Sequence, residues 1–157
     1  MRLIDDLDGI RLVTSASDLK AAAECEFAWL RAIDARLKRV PAVEEPVDVT
    51  LERTKDLGLQ HEYAVLADYR ERYGDAVIDI PEVRSSDAAA MAINVALTRA
   101  ALEDPAAHVV YQATFLTREF VGFADFLVRD EHGRWIVQDT KLARRARVTA
   151  LMQLAAY

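Results

Sequence analysis

Apolar residues keep a helical rhythm over most of the first hundred positions. After residue 107 they crowd into β-branched and aromatic runs. "SASDLKAAAECEFAWLRAIDARLKRV" places Leu19, Ala23, Phe27, Leu30, Ile33 and Leu37 at helical spacing, which predicts one helix over 15–39 with those residues as its buried stripe. Ser15 or Ser17 can cap it, with Asp18 in the first turn. "VPAVEEPVDV" carries two prolines and an acidic pair and reads as a linker, placed at 40–53. A second helix is expected over 54–73, then a short strand at "AVIDIP". A third helix follows in "SSDAAAMAINVALTRAALEDP", capped by Ser85 or Ser86 and ended by Pro105. "HVVYQATFLT", "EFVGFADFLVR" and "RWIVQDTKL" then read as an antiparallel meander, and "ARRARVTALMQLAAY" as a closing helix. No internal repeat or low-complexity tract interrupts this order.

The turn "DEHG" joins the last two strands of the meander. A three-residue loop with Gly133 left-handed pairs Asp130 with Arg134. Counting back along that register sets Asp125 opposite Asp139. Directly opposed residues share a face with Cβ atoms about 4.5–5.5 Å apart, and two like charges there destabilise the sheet. Lys141 lies two residues beyond Asp139, hence on the same face. Two readings follow. The three side chains form a solvated charge cluster with Lys141 pairing one acid, or the two carboxylates hold a divalent cation, which hard oxygen ligands suit.

Composition narrows the setting. The chain has 157 residues, 52% of them hydrophobic and 29% charged, the size and balance of one domain with a real core. Its longest apolar runs are too short to cross a bilayer, and "MRLIDDLDGIRL" lacks the apolar core of a signal peptide. A cytoplasmic protein without a membrane partner is expected. A net charge of −6 argues against a simple electrostatic nucleic-acid binder. The charge is uneven, however: residues 140–157 hold Lys141, Arg144, Arg145 and Arg147 and no acid, so a local basic strip survives. A single cysteine, Cys25, excludes an internal disulfide and cannot alone build a zinc or iron–sulfur site.

The motifs Gly122-x-x-Asp125, Asp139-x-Lys141 and Gln153-x-x-x-Tyr157, in "GFADF", "VQDTK" and "QLAAY", fall in order on strand, strand and helix. Together they resemble the RecB-like nucleases of the PD-(D/E)XK superfamily. "GLQHE", with His61 and Glu62, resembles the histidine motif of the same family. The resemblance covers roughly 15–157 and is strongest over 121–157. It implies an α/β, restriction-endonuclease-like core: a central mixed sheet whose meander is flanked by helices. It also implies a metal-dependent DNA nuclease, an exonuclease more than an endonuclease, acting in repair or recombination. A module that keeps the fold without the chemistry is the alternative.

The site residues follow from the resemblance. Asp125, Asp139 and His61 would hold Mg²⁺ or Mn²⁺, with Glu62 in support. Lys141 would orient water or contact the scissile phosphate. Gln153 and Tyr157 would line the nucleic-acid path. Apart from the resemblance, Arg144, Arg145 and Arg147 read equally as holders of backbone phosphates or as a solvated helix start, although three arginines opening a helix run against its dipole. Trp29 and Trp135 can stack on bases, but core packing is the expectation for both. Some relatives of this type hold a [4Fe–4S] cluster with a cysteine placed like Cys25 and three more beyond the tyrosine motif. Here such a cluster requires ligands from a longer chain. An ending on Tyr157 inside a helical pattern, and the missing strand that usually follows, predict a domain truncated at its C-terminus. Within that domain 15–39 is the N-terminal helix and 54–157 the catalytic core. Helicase domains are frequent fusion partners of such nucleases, and no Walker A sequence occurs in these residues.

Overall fold

The computed structural model describes residues 1–6, 9–43, 49–83, 87–140 and 148–157. Helices α1 (Ala16–Glu24) and α2 (Glu26–Arg36) replace the single helix expected over 15–39. Cys25, extended at φ −158°, divides them. Ser15 caps α1 as expected: its side chain accepts the Asp18 N–H, and the Asp18 carboxylate accepts the Ser15 N–H at 2.8 Å. The expected buried stripe is not buried. Phe27 is 74% exposed, Leu19 and Leu30 are also exposed, and α2 buries no residue. The break at Cys25 removes the common face that a continuous helix would have given these positions.

Strands β1 (Arg2–Asp6) and β2 (Gly9–Ser15) form an antiparallel ladder before α1. Helix α3 (Val49–Tyr73) begins inside the span expected to be linker, and a short 3₁₀ turn links it to β3 (Val77–Asp79). Helix α4 (Ala88–Glu103) is capped by Asp87, whose side chain accepts the Ala90 N–H. The residues expected to cap it, Ser85 and Ser86, lie outside the described residues. The meander forms as its sequence implies, with β4 (Val109–Leu116), β5 (Phe120–Arg129) and β6 (Trp135–Gln138), and α5 (Val148–Leu154) follows.

The sheet is mixed and open, in the order β1-β2-β5-β4-β3, with β6 also paired to β5. β4 and β6 run antiparallel to β5, β2 runs parallel to it, and β3 runs parallel to β4. On one face Leu66, Tyr69 and Tyr73 of α3 pack with Val109, Phe126 and Val128. The Tyr69 and Phe126 rings stand 5.2 Å apart. α4 contributes Met91 to a cluster with Val13 and Val121, and Ala101 to another with Val110 and Leu127. Trp135 serves the core: its Nε1 donates to the Leu102 carbonyl at 3.2 Å, and the Arg129 guanidinium lies over its ring. No helix among the described residues is long and apolar enough to cross a membrane.

Candidate active site

The hairpin between β5 and β6 sets the register of the site. Gly133 takes φ +77°, the left-handed conformation that glycine adopts without steric cost. The Asp130 carboxylate accepts the N–H groups of His132 and Arg134 and pairs with the Arg134 guanidinium at 2.8 Å. The Asp130 N–H in turn donates to the Arg134 carbonyl. The ladder that follows pairs Arg129 with Trp135 and ends with Phe126 opposite Gln138. One step past the end of that ladder, the Asp125 carboxyl lies within hydrogen-bonding reach of Asp139.

Both edges of β5 loosen around Asp125. On one edge β2 pairs only with Phe120 and Val121, and β6 begins only at Phe126. The backbone from Gly122 to Asp125 therefore lies in a gap between two splayed strands. On the other edge the β4 ladder runs through Tyr111–Phe126 and Ala113–Ala124 but omits the pair between them, Gln112–Asp125. Gln112 has φ +56°. That conformation costs a residue with a Cβ roughly 1–2 kcal/mol.

The gap is filled by polar side chains. Tyr157 donates its hydroxyl to the Phe123 carbonyl at 2.7 Å. Its ring lies over Gly122, where a Cβ would come within 2.5 Å of Tyr157 Cε1. This close approach gives the glycine of the Gly-x-x-Asp motif a physical reason. Burial raises the Tyr157 hydroxyl pKa, and the charges of Asp125 and Asp139 add to that rise. Gln153 lies within hydrogen-bonding reach of the same hydroxyl. The helix motif is thus joined to the carboxylates, with Tyr157 packed on the sheet.

Asp125 Oδ2 accepts the Thr140 N–H at 3.0 Å and the Thr140 hydroxyl at 3.2 Å. Burial, its contact with Asp139 and the charges of Asp139 and Glu62 outweigh the Thr140 N–H bond and push the Asp125 carboxyl up to about 7. Two acids this close cannot both ionise cheaply without added positive charge. Glu62, on α3, accepts two bonds on one oxygen: Oε1 takes the Tyr111 hydroxyl at 2.8 Å and the Gln112 amide at 2.5 Å. Burial and this bond to a carboxylate both raise the Tyr111 pKa.

The structure therefore brings Asp125, Asp139, Glu62, Gln153 and Tyr157 together. It leaves His61 exposed on α3, where it shares no cluster with the two aspartates. No group of three or more His, Cys, Asp and Glu side chains gathered for a metal ion occurs among the described residues. The donors present still fit a divalent cation of the magnesium type. Such ions are commonly held by one or two carboxylates, with waters and substrate phosphates completing the octahedron. Cys25 is a free, exposed thiol between α1 and α2. Lys141, Arg144, Arg145 and Arg147 lie outside the described residues.

Strand alternation places Thr140 on the face opposite Asp139, which would leave its side chain no role and only its carbonyl near a metal, but its hydroxyl and N–H both bond Asp125; Tyr111 and Gln112 were not anticipated. The available signal for Gln112 was a lone amide inside the apolar run "VVYQATFL". No family model matches the chain, and neither a curated protein nor a solved structure matches it.

Proposed function

We propose that this chain is a nuclease domain of restriction-endonuclease-like fold that hydrolyses DNA phosphodiester bonds with a divalent cation, acting from strand ends. The observation that carries the proposal is the convergence of two acids, Asp125 on β5 and Asp139 just past the end of β6, within hydrogen-bonding reach of each other where burial, and then Asp139, push the Asp125 carboxyl up to about 7. When bound, Mg²⁺ or Mn²⁺ supplies positive charge to the phosphate and lowers the pKa of water.

The chain's own residues supply the rest. Asp125 presents its oxygens from β5, and Asp139 from the residue just after β6. Thr140 fixes the Asp125 rotamer through two bonds to Oδ2. Tyr157 holds the backbone two residues before Asp125 through the Phe123 carbonyl, and Glu62 adds negative charge at the margin. The ammonium of Lys141, two residues past Asp139, is assigned to orient water or to meet the scissile phosphate. Arg144, Arg145 and Arg147 are assigned to neighbouring phosphates.

A second reading draws on the position of His61 outside the carboxylate cluster: a nucleic-acid-binding module without catalysis. One experiment separates the two. End-labelled linear DNA and closed circular DNA are incubated with the protein in Mg²⁺, Mn²⁺ or chelator, beside Asp125→Asn and Lys141→Ala. The nuclease reading expects metal-dependent release of label from linear DNA, with both variants reduced by about 100-fold or more, since losing a direct ligand exceeds the 10–100-fold typical of supporting residues. Cutting that is equal in wild type and both variants sinks it. DNA binding without cutting selects the module.

A further inference from the structure

Tyr111 and Gln112 are consecutive residues of β4, yet both bond to the same oxygen of Glu62. In a regular strand consecutive side chains point to opposite faces. The φ of +56° at Gln112 breaks that alternation. The break falls directly opposite Asp125, where the β4–β5 ladder omits a pair. Strained backbone of this kind persists where the surroundings hold it in place, and it concentrates at functional sites. Both donors take Oε1, which leaves Glu62 Oε2 without a protein donor among the described residues.

We propose that Gln112 is a positioning residue: its left-handed backbone turns the amide onto Glu62 Oε1 and holds the other carboxylate oxygen available to the cation site of Asp125 and Asp139. This rests on the nuclease reading above. Glu62 then acts through the water around the cation, as supporting carboxylates do, and Tyr111 is the second arm of the clamp. The distinction from a purely structural role is the direction of the stability effect. Glycine accepts a positive φ without strain. Gln112→Gly therefore keeps the backbone path and removes only the amide.

The test is calorimetric titration of Mn²⁺ into wild type, Asp125→Asn, Gln112→Gly and Tyr111→Phe. Thermal melting of each is measured without metal, and cleavage of end-labelled DNA is measured across Mn²⁺ concentrations. The expected result is a Gln112→Gly protein that melts at or above wild type but binds Mn²⁺ about tenfold more weakly. Its half-maximal Mn²⁺ concentration for cleavage rises by a similar factor, while cleavage at saturating Mn²⁺ changes less. Tyr111→Phe, which keeps the amide clamp, loses less affinity. A Gln112→Gly protein with wild-type Mn²⁺ affinity overturns the proposal and leaves the nuclease reading intact. So does one whose lost affinity is matched by a lower melting temperature. A wild type that binds Mn²⁺ no better than Asp125→Asn overturns both.

Discussion

Strand β5 and helix α2 are of similar length, ten and eleven residues, and each is rich in apolar residues. β5 buries Val121, Gly122, Ala124, Phe126 and Leu127; α2 buries nothing. The difference lies in what faces them. β5 has β4 along one edge and β2 and β6 sharing the other, with α3 side chains over Phe126. α2 packs chiefly on α1. Periodicity states which residues could be buried together, and an opposing surface decides whether they are. The same crowding sets the chemistry. Where β5 is enclosed but its ladder is interrupted, a carboxyl is left with polar neighbours and little water, and its proton affinity moves.

The sharpest way to break this comparison is to remove one aromatic from each region. Phe126 is fully buried and touches the rings of Tyr69 and Tyr111. Phe126→Ala is expected to cost about 3–5 kcal/mol, read from urea unfolding. Phe27→Ala, at a 74% exposed position, is expected to stay within about 0.5 kcal/mol of wild type. Comparable losses from the two would mean that α2 has a packing partner equal to the sheet.

The next effect is on pH. Asp125 is pushed up to about 7 in the folded chain, against roughly 3.9 for an unfolded aspartate. Between those values the folded state binds the extra proton, so its contribution to stability is present at the acid end and is lost as pH rises through about 7. Metal-free wild type, measured relative to Asp125→Asn, should therefore lose stability from about pH 4 to about pH 7 and level off above. Mn²⁺ should restore stability, and more so at the higher pH, because the proton must leave before the ligand binds. A wild type that gains stability over this window relative to Asp125→Asn would show that burial and the neighbouring Asp139 do not raise the Asp125 carboxyl.

A smaller effect separates the two halves of β5. Gly122→Ala puts a Cβ within 2.5 Å of Tyr157 Cε1 and 2.7 Å of Phe120 Cε1. Both neighbours are side chains, so they can shift, and overpacking of this kind costs about 1–3 kcal/mol. The Tyr157 bond to the Phe123 carbonyl should loosen with it. Chemical denaturation checks the first figure, and the second predicts lower cleavage at unchanged Mn²⁺ affinity. A Gly122→Ala protein as stable as wild type would mean that the ring does not sit on the strand.

The legibility of the molecule in its sequence divides along the same line. The meander, its turn and the Asp125–Asp139 register were readable because turn chemistry at Gly133 fixes the count, and alternation carries it along the ladder. The cap at Ser15 was readable because it is a local hydrogen-bond exchange. The break at Cys25 was not, since no glycine or proline marks it. The β1–β2 ladder was also missed, because its residues read mainly as an absent signal peptide. In the site, the hairpin register set Asp125 against Asp139, but for His61 and Glu62 no such count exists, because a helix turns about 100° per residue. Only packing of α3 on Phe126 decides that Glu62 rather than His61 is carried to the sheet. Gln112 was hidden more deeply, since a left-handed residue within a strand leaves no periodic trace.

The smallest expected effect lies where the weakly packed region joins the sheet. Ser15 ends β2 opposite Val121 and caps α1, and its hydroxyl donates to Asp18 Oδ2 at 2.7 Å. The Met1 ammonium meets the same carboxylate oxygen at 2.5 Å. Burial alone would raise the Asp18 pKa, but the bonds from the ammonium and from Ser15 outweigh it and hold the carboxyl below its usual range. A depressed carboxyl stabilises the fold above the unfolded pKa and loses that contribution as pH falls through the folded value. Ser15→Ala should therefore cost about 1 kcal/mol at neutral pH, and the difference from wild type should shrink in acid. The carboxylate pair is anchored by β4, β6 and Thr140, none of which Ser15 touches. Mn²⁺ affinity should accordingly be unchanged by Ser15→Ala, and a parallel loss of affinity would mean that the α1 junction and the Asp125 gap move as one unit.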